Sequence, residues 1–194
     1  MRRLIFILTT AASLLAAAPA KGQSLLVDKG AFEITLFDAD GVPVMVFPVA
    51  TGLNAGNKKA AGDHKTPEGT FTIVSIENKS RVTFDYHDGK GPVYAYGPWF
   101  FRLKTGFQGI GIHGTCPERD DRIGTRDSHG CIRLHNEDLL KLYPYVFVGM
   151  KVVIVPGEED LRVDHRLKEE DFLTPYPVEG AGTEGDAEEV QEEQ

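Results

Sequence analysis

The run Ser128-His129-Gly130-Cys131-Ile132-Arg133-Leu134 holds one of only two cysteines in a chain of 194 residues. His113, in Gly111-Ile112-His113-Gly114-Thr115, lies fifteen positions before Ser128. A thiol at neutral pH is mostly protonated and a poor nucleophile. An imidazole in hydrogen-bond reach can take that proton and leave a reactive thiolate. A cysteine beside a glycine, with two histidines available, is the pattern expected of cysteine acyl transfer. Cys131 is the expected nucleophile and His113 the expected general base, with a backbone carbonyl near Gly114 able to fix its tautomer. His129 stands two positions before the cysteine. In an extended segment it shares a side with Cys131, where it could polarise the site or support its loops. The amides of Gly130 and Cys131 are candidate oxyanion donors. Arg133 falls on the same side and suits a carboxylate bidentately.

Each residue taken alone has a plainer reading. Cys131 could be an inert buried thiol, His113 a structural histidine and Arg133 a surface charge. The constellation favours chemistry. A rival constellation also exists, because His113, Cys116, His129 and Cys131 form a ligand set that zinc accepts. The His-x-Cys half of that set is tighter than structural zinc normally uses. The reading adopted requires no metal and no cofactor. A Cys116–Cys131 disulfide would consume the nucleophile, so a free or transiently oxidised pair is expected instead.

These residues must be held by strands. Ala31–Phe37 alternates apolar and polar, and Asp38-Ala39-Asp40-Gly41 is a turn signal. Val42–Ala50 reads as a second, proline-marked edge strand. Residues 51–68 form a loop. Thr70–Ile76, Arg81–Tyr86, Trp99–Leu103, Ile110–His113 and Lys151–Val155 read as further strands. One helix is expected after the catalytic segment, with Asn136 as its N-cap, Glu137 and Asp138 in its first turn, and Pro144 at its end. The fold class is mainly β, a sandwich or partly closed barrel with that one short helix. Glu158–Phe172 is charged and suggests a surface helix packed loosely through Leu161, Val163, Leu167 and Phe172.

Residues 1–20 read as a secretory leader, with Arg2 and Arg3 before an apolar stretch and Ala18-Pro19-Ala20 as the cleavage site. An exported protein, periplasmic or wall-associated, is expected, with no stable membrane insertion after cleavage. The formal net charge is -8, and residues 179–194 contain seven acidic residues and no basic one. The remainder is nearly balanced, which offers no electrostatic footing for nucleic acid. The expected organisation is a leader (1–20), a catalytic domain (24–156), a charged extension (157–178) and an acidic disordered tail (179–194).

His113-Gly114, followed at the observed spacing by Ser128-His129-Gly130-Cys131-Ile132-Arg133, resembles the signature of the L,D-transpeptidase catalytic domain family (YkuD type). Ala50-Thr51-Gly52, Thr66-Pro67-Glu68-Gly69-Thr70-Phe71 and Gly109–Thr115 are also similar to that family, and the likeness covers about residues 24–156. It implies a β-sandwich-like fold with the cysteine in a loop-covered groove, and the stem peptide of peptidoglycan as substrate. Cys131 would attack the carbonyl of the third, diamino-acid residue and release D-Ala, leaving a thioester. An amine acceptor would give a cross-link, and a lipoprotein lysine would anchor a protein to the wall. Water as acceptor would give carboxypeptidase or endopeptidase activity. A non-catalytic wall-binding domain of the same fold is a remaining alternative. The resemblance assigns base to His113, nucleophile to Cys131, support to Ser128 and His129, and substrate contact to Arg133. It assigns no role to Cys116, which could act as a redox partner.

Overall fold

The computed structural model describes residues 22–166. The expected leader and acidic tail lie outside the described residues. Short runs with one apolar face become strands because burying alternate residues covers one side of a sheet. Ser24–Asp28 (β1), Glu33–Phe37 (β2) and Lys151–Val155 (β10) each bury their second and fourth residues. β1 lies antiparallel to β2 and parallel to β10. Pro43–Pro48 (β3) pairs with β2 at the edge, where its prolines are tolerated. Gly69–Asn78 (β5), Trp99–Leu103 (β6), Gly111–His113 (β7) and Ile132–Arg133 (β9) complete an eight-stranded sheet. Its order is β3-β2-β1-β10-β5-β6-β7-β9, and Thr51–Gly52 (β4) pairs separately with Arg126–Ser128 (β8).

The sheet curls until its two ends meet. Beyond β3 the chain reaches Ala50, which exchanges both backbone hydrogen bonds with Arg133 of β9, at 2.8 and 3.0 Å. Of the two expected architectures, the partly closed barrel is the one formed. Inside it, Leu25, Val27, Ile34, Leu36, Ile73, Phe101, Ile112, Ile132, Val152 and Ile154 make one continuous core. Helix α1 (Asn136–Leu142) adds Leu139 and Leu142, both fully buried. Each such side chain contributes about 1.5–3 kcal/mol.

Three expectations need correction. Arg81–Tyr86 is not a strand. Within it only Phe84 bridges, to Val93, and Phe84 and Tyr86 line a cavity. Asn136 is the first residue of α1 rather than its cap, which is His135, and its amide is used elsewhere. Helix α2 (Glu158–Val163) forms as expected, but apolar packing is not its main anchor: Leu161 is half-buried and Val163 exposed, while Leu167 and Phe172 lie outside the described residues.

A buried charge holds α2 instead. Lys29 and Asp160 are both fully buried and pair at 2.9 Å. Lys29 Nζ also donates to Glu68 Oε1 (2.8 Å) and Gly56 O (2.9 Å). Asp160 accepts from the amides of Gly56 (2.7 Å) and Gly157 (2.9 Å), and Arg126 of β8 reaches it at 3.2 Å. This cluster ties α2 to the loop between β4 and β5 and to the strand that enters the cysteine segment. Burial alone would raise the Asp160 pKa. The Lys29 ammonium and the two amides outweigh it and bring the carboxyl down to about 2. Its stabilising contribution is therefore complete above the ordinary aspartate value and is lost as pH falls through about 2. Asp160→Asn strips a buried ammonium of a partner and should cost about 3 kcal/mol at pH 7. The urea midpoints of variant and wild type should converge near pH 2; equal midpoints at pH 7 would rule out this role for the cluster.

Candidate active site

Cys131 follows a glycine that cannot be replaced locally. Gly130 has φ +128°, and a Cβ there would lie 2.8 Å from Lys65 O. The turn is locked by Ser128, whose hydroxyl donates to Cys131 O at 2.6 Å and accepts from Gly130 N–H at 3.0 Å. The Gly130 amide is thus engaged, and of the two expected oxyanion donors it is not the free one. Ile132 then points into the core, while Ser128, His129, Cys131 and Arg133 line one cavity of about 510 Å³. His129, Cys131 and Arg133 thus share the expected side, but through a glycine turn and not an extended segment, since adjacent Ser128 lines the cavity too.

His113 ends β7, beside β9 and paired in register with Arg133. It lines the same cavity, is buried, and packs against Tyr96 (5.1 Å) and flat on Phe100 (5.4 Å). Its Nδ1 lies 2.7 Å from Gly114 O. A carbonyl only accepts, so Nδ1 carries the proton and Nε2 is left as the basic nitrogen. Gly114 is itself held tightly. A Cβ there would collide with Asn136, whose side-chain amide brackets Thr115 by accepting from its N–H and donating to its C=O, both at 3.0 Å. Asn136 thus fixes the loop that orients the imidazole, a role its N-cap reading hid.

Electrostatics leaves both groups uncharged at rest. Burial pushes the Cys131 thiol up to about 11, against the Gly111 amide and the positive charges of Arg133, Arg102 and Lys58. Burial also lowers His113 to about 3; the Gly114 carbonyl opposes this and Arg133 adds to it. The thiol donates to Gly109 O at 3.2 Å. The resting pair is therefore a neutral thiol and a neutral imidazole, and proton transfer must accompany attack.

The neighbours are more constrained than the sequence suggested. Arg133 is almost wholly buried and ion-paired with Asp127, with Tyr86 Oη at 3.4 Å. Its fork is not open for a bidentate carboxylate, although Nε has no partner among the described residues. His129 stacks on His64 (4.3 Å between centroids, 11°) and meets the edges of Phe84 and Tyr86. Burial first, then His64, Arg119 and Arg133, lower its pKa. Arg119 chelates Asp127 at 3.0 and 3.1 Å and covers the Tyr86 ring at 3.9 Å. Sequence reasoning missed Asp127, Tyr86, Tyr96, Lys58 and His64. Only Asp127, adjacent to Ser128, carried a positional signal.

Cys116 is buried, Cys131 is half-buried, and both thiols are free. Cys116 borders a different cavity, with Pro117, Asp120 and His135. Among the described residues no group of three His, Cys, Asp or Glu side chains is placed to hold a metal, so the zinc set is not assembled.

A curled sheet with a cysteine, a tautomer-fixed histidine and a Ser-locked glycine turn on one cavity defines a class of cysteine acyltransferase folds. A profile of the L,D-transpeptidase catalytic domain (YkuD) matches residues 22–154, and the chain belongs to that family. It is 31% identical over 135 residues to YqjB of Bacillus subtilis (strain 168), named as an L,D-transpeptidase, which spans 66% of this chain and 71% of YqjB. YkuD of Bacillus licheniformis is 33% identical over 123 residues, 63% of this chain and 59% of that protein. Among solved structures, an L,D-transpeptidase from Mycobacterium smegmatis superposes with a TM-score of 0.52 at 24% identity, covering 69% of this chain and 58% of that one. L,D-transpeptidase 3 from Mycobacterium tuberculosis, with a faropenem-derived adduct, gives 0.52 at 22% identity, covering 69% and 60%. These two structures share the fold.

With the thiol near 11, alkylation of Cys131 by iodoacetamide should be slow at pH 7 and rise about tenfold per pH unit through pH 9. Peptide mapping separates it from Cys116. A rate plateau between pH 5 and 8 would mean a preformed thiolate–imidazolium pair.

Proposed function

We propose that this chain is a peptidoglycan L,D-transpeptidase in which Cys131 carries the stem peptide as a thioester. The observation that carries the reading is the shared cavity of Cys131 and His113, the latter with its basic Nε2 left free by the Gly114 carbonyl. In the proposed cycle the thiol leaves Gly109 O and passes its proton to His113 Nε2 as sulfur bonds to the carbonyl carbon of the third stem residue. The Cys131 amide faces the developing oxyanion. Collapse of the tetrahedral intermediate breaks the bond to D-Ala, whose amine takes the proton back from Nε2. An acceptor amine then loses its proton to Nε2, attacks the thioester and returns Cys131 to the thiol.

His113 is the base, Cys131 the nucleophile, and Ser128 with Gly130 fixes the turn between them. His129 and the Gly114 loop support the walls, and Arg133 borders the substrate through its cavity-facing edge. No cofactor enters this cycle. The acceptor is a second stem peptide or a wall-anchored protein, with water as the competing acceptor. The family places the work at the cell wall, and the leader read at residues 1–20 supports export to the periplasm or wall. No helix of the described residues is long and apolar enough to cross a membrane.

Incubation with a tetrapeptide stem should give an intact-mass adduct of the tripeptide on Cys131, absent in Cys131→Ala. His113→Gln should slow its formation by about 10²–10⁴-fold. Adding an acceptor amine should yield the transfer product; release of free tripeptide alone would make the protein a hydrolase. An unaffected His113→Gln alongside an inactive His129→Gln would reassign the base.

A further inference from the structure

The cavity has a charge bias that the catalytic cycle leaves unused. Among the described residues its lining includes Lys58 and Arg133 and no aspartate or glutamate. Arg133 is committed to Asp127. Lys58 differs. It sits on the loop between β4 and β5 with its side chain only 4% exposed, and it bonds Asp63 Oδ1 at 2.6 Å. Its ammonium also lies over the Phe107 ring, 5.2 Å from the centroid, and Phe107 lines the same cavity.

An ammonium has three donors, and a nearly buried one is costly unless they find acceptors. Among the described residues, Asp63 is the only N or O partner of Nζ. Asp63 is already satisfied without it, because its two oxygens accept from the amides of Lys59 (2.7 Å), Ala60 (3.0 Å) and Lys65 (3.1 Å). The carboxylate therefore orients the ammonium, while the lysine is not needed to close the Asp63 turn. The result is a positioned, under-bonded cation on the wall of a cavity that holds the nucleophile and has no acidic residue.

We propose that Lys58 is a specificity-determining residue that binds a free carboxylate of the peptide substrate next to the scissile bond. This rests on the transpeptidase reading and deepens it. Two carboxylates of a stem tetrapeptide could be the one read: the terminal carboxylate of the departing D-Ala, or the side-chain carboxylate of the diamino acid. Both present the same chemistry to the ammonium.

Three stem tetrapeptides separate them: the free acid, the terminal carboxamide, and the peptide amidated at the diamino-acid side chain. Acylation rates should fall at least tenfold in wild type for one of the two amides, and that one names the carboxylate. Lys58→Gln should bring the free acid down to the same level while leaving that amide unchanged, and Lys58→Arg should retain the preference. Equal rates of wild type on all three peptides would overturn the proposal whatever the variants do. So would a Lys58→Gln loss shared equally by all three. Calorimetric binding of the same peptides to Cys131→Ala protein reports Lys58 without chemistry. Discrimination there with no acylation of wild type would sustain the carboxylate site and refute the catalytic reading instead.

Discussion

Burial of the reacting pair is the constraint on which the site depends. A charged thiolate or imidazolium must be solvated or paired, and this cavity offers neither in full. The same apolar walls, Tyr96 and Phe100 around His113 and Ile110 beside Gly130, raise the thiol and lower the imidazole. The pair thus rests uncharged and forms charge only as bonds change. A water-excluded site strengthens each dipole aimed at that charge when it appears. The cost is an unreactive resting thiol, which also suits an enzyme that must ignore most electrophiles.

The scaffold makes this burial possible by closing on itself. The Ala50–Arg133 pair joins one end of the sheet to the other. That junction brings β4, β8 and β9 together, so Ser128, His129, Cys131 and Arg133 emerge on one wall. The loop after β4 packs against this turn, and its Lys65 carbonyl leaves room only for a glycine at 130. The Lys29–Glu68–Asp160 cluster anchors that loop from behind. Asn136 performs a similar task on the other flank, gripping Thr115 so that the Gly114 carbonyl meets Nδ1. Charge burial in one place and amide bracketing in another serve one end, the rigidity of two short loops.

Much of this was legible from residue spacing. Alternation in β2 and the short apolar runs at Lys151–Val155 and Trp99–Leu103 revealed strands, and the SHGC segment with its upstream HG revealed the chemistry. The failures have physical causes. Arg81–Tyr86 alternates because Phe84 and Tyr86 face a cavity, and alternation does not distinguish a cavity from a core. β1 went unread because Leu25, Leu26 and Val27 run together and show no polar–apolar alternation. Asn136 fits an N-cap by type, yet its bracket to Thr115 joins residues twenty-one apart. The anchoring of α2 was invisible because a buried Lys–Asp pair looks like two surface charges until the fold places them together. Arg133 was expected open to substrate, and only the structure shows Asp127 already holding it.

The state of the resting pair can be read directly by ¹⁵N chemical shifts of His113 in the free protein between pH 5 and 8. One nitrogen should keep the shift of a protonated ring nitrogen and the other that of a basic one throughout, the neutral Nδ1–H tautomer. Two equivalent, protonated nitrogens near pH 7 would mean an imidazolium facing a thiolate. That result would contradict the neutral pair and the attack-coupled proton transfer built on it.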